Sequence, residues 1–175
     1  MPPDPLLLIR KAKAEKKKAP LALSCASDAL PPLELPQRCF PPPAVPLATM
    51  PSSAQYFPDF VSETDEETLL QHILNAPTSR WSPGNNRRTQ NWGGKPGERK
   101  VAEELPVWLL QLTEALVRSG AWPADEPPPN HVIINDYETP GAGLTPHTDG
   151  PLYADRVATL SLMSNVVIEL HRPEE

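Results

Sequence analysis

Residues 130–151 read NHVIINDYETPGAGLTPHTDGP, an apolar run, a Pro/Gly turn, and then a histidine and an aspartate one residue apart. The apolar run predicts a short strand. Because strand side chains alternate, Val132 and Ile134 leave it on one face while Ile133, Asn135 and Tyr137 leave it on the other. An amide and a phenol on an inner face need partners, so that face is expected to border a polar cavity. Pro140, Gly141 and Gly143 then turn the chain. If His147 and Asp149 lie on a second extended segment, the period of two aims both at one point. A neutral imidazole and a carboxylate there supply two corners of the triad that holds non-haem Fe(II). The third corner should be a histidine from a later strand. An H-x-D pair also arises as a hydrogen-bonded surface pair, so the motif alone does not decide between ligand and surface.

After Asp149, residues 157–163 and 166–170 read as two apolar strands joined at Ser164-Asn165. Before residue 130 the pattern is helical. Ser62 followed by Asp65 predicts a capped helix start with a solvated acidic first turn, and Leu69, Leu70, Ile73 and Leu74 form its apolar face until Asn75. His72 reads as a surface residue on this helix. A second helix is expected from Pro106, with Trp108, Leu109, Leu112 and Leu116 buried and Gly120 as the stop. Between the helices, residues 80–100 form a basic, Gly-rich stretch carrying Trp81 and Trp92. Arg and Lys neutralise phosphates and an indole stacks on a base, so this stretch is read either as a nucleic-acid lid or as a long surface loop anchored by its tryptophans.

The chain has 25 prolines in 175 residues, about half of them before Tyr56, and a net charge of -6. That charge excludes coating of nucleic acid by bulk attraction and leaves only local contacts. Residues 1–53 combine prolines with a basic run from Arg10 to Lys18 and lack a sustained apolar period, which predicts disorder. Cys25 and Cys39 are too few for a disulfide or zinc framework and read as reduced thiols. The early apolar run at 6–9 is too short for a signal-peptide core, and no stretch is long enough to span a membrane. A soluble monomer, cytoplasmic and nuclear, is the expectation.

Several collinear segments carry a resemblance: YFPDFVS from Tyr56, NAP from Asn75 separated by three residues from Trp81, QNWGG from Gln90, NHVIINDY from Asn130 and PHTDGPLY from Pro146. Together they resemble the AlkB family of Fe(II)/2-oxoglutarate dioxygenases, over roughly residues 56–170. The resemblance implies an α+β fold, a double-stranded β-helix (jelly roll) with flanking helices. It implies His147 and Asp149 as iron ligands, Asn135 and Tyr137 as partners of 2-oxoglutarate, and Arg88, Gln90, Asn91 and Trp92 as part of a lid over the substrate, with nucleic acid as a partner through residues 80–100. The implied reaction couples decarboxylation of 2-oxoglutarate to hydroxylation of an N-methyl group.

The resemblance also implies features that residues 1–175 do not display: a distal histidine ligand and an arginine that binds the cosubstrate carboxylate. His171 and Arg172 are poor stand-ins, and Pro151 stands where DNA-repairing members carry an acid. About four strands can be placed after residue 131, whereas a jelly roll needs about eight. The expectation is therefore a partial domain over 54–175 with an incomplete barrel and impaired activity. The alternatives are a noncatalytic form that binds nucleic acid or protein, and another small metal-dependent jelly roll.

Overall fold

A computed structural model of the chain describes residues 33, 35, 51, 53–84, 86–94, 103–137 and 142–171. The first helix, α1 (Glu63–Leu74), starts where its sequence predicts. The Ser62 hydroxyl accepts from the Asp65 N–H at 3.1 Å and donates to the Asp65 carboxylate at 2.7 Å. This reciprocal bond satisfies one of the helix's free amides. It also brings Asp65 into the interior, 2% exposed, so the first turn is not the fully solvated end expected. The buried stripe is Asp65, Thr68, Leu69 and Ile73. Leu74, expected on the apolar face, lies 41% exposed. The i, i+4, i+8 row from residue 65 faces the core, and Leu74 lies one step past it.

A short 3₁₀ turn (Thr78–Arg80) leads into β1 (Trp81–Gly84), which pairs antiparallel with β2 (Arg87–Trp92). Residues 81–92 are thus a hairpin rather than an irregular loop, and Trp92 anchors it to the core as one of the two readings expected. Asn86 turns it with a φ of 59°, in the left-handed region that asparagine tolerates better than most residues. The helix α2 (Val107–Arg118) follows, and Gly120, at a φ of 76°, ends it by donating to the Val117 carbonyl at 3.1 Å. Trp108 and Leu109 are buried as expected, with Thr113 and Ala115 beside them. The strand β3 (Val132–Asp136) then pairs antiparallel with β2, giving a three-stranded sheet in the order β1-β2-β3. The described chain is a mixed fold of helices and one antiparallel sheet.

One face of the sheet meets the helices through two residues of the same strand phase, Gln90 and Trp92. Gln90 is fully buried, donates to the Ile73 carbonyl at the end of α1 at 2.8 Å, and accepts from the Trp92 indole at 3.0 Å. Trp92 meets Trp108 of α2 edge to face at 5.9 Å, and His72 of α1 stacks parallel on the same Trp108 at 5.2 Å. His72 is therefore a half-buried link between helices rather than a surface residue. Burying side chains the size of Leu69 and Leu109 contributes about 1.5–3 kcal/mol each.

Thr159–Glu169 belongs to a separate unit from residues 30–158. The strands expected at 157–163 and 166–170 are absent: the described backbone there carries no strand, and Val166, Val167 and Ile168 are at least half exposed. Apolar content makes a strand only where a neighbour supplies a hydrogen-bond ladder. Of residues 1–53, only Leu33, Leu35, Pro51 and Ser53 are described, and Leu35 is buried. The reading of that segment, with Cys25 and Cys39, otherwise lies outside the described residues. No helix among the described residues is long and apolar enough to cross a membrane.

Candidate metal and cosubstrate site

His147 and Asp149 lie beyond β3 in a segment without regular structure, not on the second strand expected. They nevertheless face each other, with His147 Nε2 3.7 Å from the nearer Asp149 oxygen and both side chains more than half exposed. His147 Nδ1 is 2.9 Å from the Thr145 carbonyl. A carbonyl only accepts, so Nδ1 is the donor in that contact, and in the neutral imidazole Nε2, on the Asp149 side, is then the nitrogen available to a metal. This is the arrangement in which a ligating histidine is oriented by a hydrogen bond from its other nitrogen. Donors about 2.1 Å from a common ion can lie up to about 4.2 Å apart, so a pair at this separation fits a metal between them. Among the described residues no group of three or more His, Cys, Asp or Glu converges on one point.

The segment is tied down by two contacts. The Tyr153 ring lies against the His131 imidazole at 5.6 Å, just before β3. Arg156 holds Glu126 by two hydrogen bonds of 2.9 Å, with its guanidinium toward Trp122. Trp122 itself donates to the Pro127 carbonyl at 3.1 Å and so fixes the proline run before β3. Beside Asp149, a depression of about 280 Å³ is lined in part by Tyr153, Asp155 and Arg156.

The sheet register decides which side chains share a face. Thr89 stands opposite Asn135, Asn91 opposite Ile133 and Ser82 opposite Thr89. Asn135 therefore sits on the face turned away from the helices, among Ser82, Thr89 and Asn91. Tyr137 is the first residue after β3, two positions past Asn135. Asn135 and Ile133 are exposed there, so the polar face expected around Asn135 exists but is open.

The four lid residues separate by phase. Only Asn91 shares the face of Asn135. Arg88, Gln90 and Trp92 project to the helical face, where Gln90 and Trp92 are core residues. Arg88 holds Asp136 at 2.8 Å and lies over Trp81 at 4.3 Å. Trp92 is covered by Trp108 and by the Arg80 guanidinium at 4.2 Å, so it offers no free ring to a base. Sequence reading missed Arg87 and Thr89, which the period of two in RRTQNW would have set apart from Arg88, Gln90 and Trp92.

No family model matches the chain. Over 124 residues, 70% of its length, it is 44% identical to a zebrafish (Danio rerio) protein described as "Probable RNA/DNA demethylase ALKBH6". The chain spans about half of that relative, 52% of its length.

Proposed function

From the homology that places this chain in the AlkB family, we propose that it carries part of the active site of an Fe(II)/2-oxoglutarate dioxygenase of jelly-roll fold, acting as an oxidative demethylase of nucleic acid. The observation that carries this reading is the facing of His147 and Asp149, with the histidine tautomer set for an Nε2 ligand. Those two residues would hold the iron. When bound, the iron with 2-oxoglutarate supplies the oxidising chemistry that hydroxylates a methyl carbon. The Thr145 carbonyl holds the imidazole in its ligating tautomer. Asn135, presented by β3 on the polar sheet face, and Tyr137, just past the strand, would hydrogen-bond the 2-oxo acid and orient it. The relative's description as an RNA/DNA demethylase supports an N-methylated base as substrate.

The test is anaerobic calorimetric titration of the 175-residue chain with Fe(II) and 2-oxoglutarate. Metal-dependent binding of 2-oxoglutarate that is lost in His147→Ala and weakened in Asn135→Ala is the expected result. Binding indifferent to both substitutions would overturn the assignment.

A further inference from the structure

Arg87 and Arg88 are neighbours in β2 and have opposite fates. Among the described residues Arg80, Arg88, Arg118 and Arg156 each hold a carboxylate. Arg87 holds none, and its Nη1 is buried without a hydrogen-bond partner. A buried donor without an acceptor is destabilising, more so on a cation, and in native proteins such a group asks for an explanation. Alternation along β2 sends Arg88 to the helical face, where Asp136 meets it, and Arg87 to the opposite face.

That opposite face is the one bearing Asn135. Continuing the β2–β3 register by one step from Arg88 and Asp136 puts Arg87 across from Tyr137. Its partner across β1 is Gly84, and the next side chains on this face are Thr89, two residues along β2, with Ser82 and Asn135 on either side of it, all capable of donating hydrogen bonds. No Asp or Glu of the three strands lies on this face, since Asp136 projects to the other. The face thus offers hydroxyl and amide donors around one uncompensated guanidinium. A guanidinium presents a planar fork of donors matched to a carboxylate or a phosphate.

We propose that Arg87 is a binding residue of this site, an oxyanion anchor at the Tyr137 end of the polar sheet face, taking a carboxylate of the 2-oxo acid or a phosphate of the nucleic acid. This rests on the function proposed above, and the two fail separately.

The experiment compares the full chain with Arg87→Gln, Arg87→Lys and Asn135→Ala in two titrations. One uses 2-oxoglutarate with Fe(II) under anaerobic conditions; the other uses a short single-stranded RNA at two salt concentrations. Arg87→Gln is expected to weaken one of the two ligands about tenfold or more, with partial recovery in Arg87→Lys and an unchanged unfolding midpoint. Weakened 2-oxoglutarate identifies a carboxylate. Weakened RNA with a salt dependence shallower by about one counterion identifies a phosphate. If Asn135→Ala impairs 2-oxoglutarate binding and Arg87→Gln impairs neither ligand, the anchor is refuted and the site reading stands. If the wild type binds neither ligand, both are refuted.

Discussion

Trp92 shows how far a single side chain's meaning depends on its surroundings. In sequence it lies in a basic, Gly-rich stretch and reads as a stacking platform for a base. In the fold it is 9% exposed, edge-on to Trp108, under the Arg80 guanidinium and donating to Gln90. Trp92→Ala should therefore lower unfolding free energy by about 3–5 kcal/mol in urea denaturation, the range for truncating a buried aromatic. Any accompanying loss of nucleic-acid binding should follow the unfolded fraction. A destabilisation below about 1 kcal/mol with lost RNA binding would return Trp92 to the substrate side. Gln90 carries a parallel lesson: the family resemblance implied a place in the lid, yet both its hydrogen bonds go to the protein's own groups.

Among the elements, β3 is positioned by more than its own ladder. Gly93, immediately after β2, has a φ of 92°, and a Cβ there would stand 2.1 Å from the Asn130 carbonyl oxygen. The β2 exit therefore crosses the β3 entrance closely enough that only glycine fits, on conformational and steric grounds alike. Gly93→Ala is expected to cost about 2–3 kcal/mol in the same denaturation experiment, because a backbone atom must move. Since β3 presents Asn135, the substitution should also weaken 2-oxoglutarate binding measured well below the unfolding midpoint. Normal affinity in a destabilised variant would separate the crossing from the site. At the other end of the sheet, Arg88 and Asp136 form a part-exposed pair across β2 and β3, of the kind that contributes about 0.2–1 kcal/mol. The steric crossing at Gly93 is the stronger constraint on where β3 lies.

For the molecule as a whole, two histidines link its layers: His72 between α1 and α2, and His131 between the start of β3 and Tyr153. Burial holds the His72 imidazole below its ordinary value of 6.5. It does the same for His131, against an opposing hydrogen bond involving the Gly94 backbone. Each binds its proton less readily folded than unfolded. Their contribution to stability is therefore present above about pH 6.5 and is lost as pH falls from there through the lowered folded values. Urea midpoints should drop between pH 7.5 and 5.5 in the wild type and drop less in His72→Gln. An equal drop in both would remove His72 from the account. Below that window Glu103, held under its ordinary 4.5 by its hydrogen bond to Arg80, loses its share as it protonates. The two helices, their starts and stops, and β3 were legible from sequence because caps, glycine stops and apolar periods act over a few residues. So were His147 and Asp149 as neighbours. The hairpin at 81–92 was obscured because composition outweighed a period of two that spans only six residues of β2, and the apolar segments after residue 157 read as strands although apolar content supplies no ladder. The amino-acid sequence by itself determined which residues could ligate, donate or cap. Only the tertiary structure decided that Gln90 and Trp92 serve the core and Arg88 pairs with Asp136 while Arg87, Thr89 and Asn91 join Asn135, because strand register and the face met by the helices are set by long-range contacts.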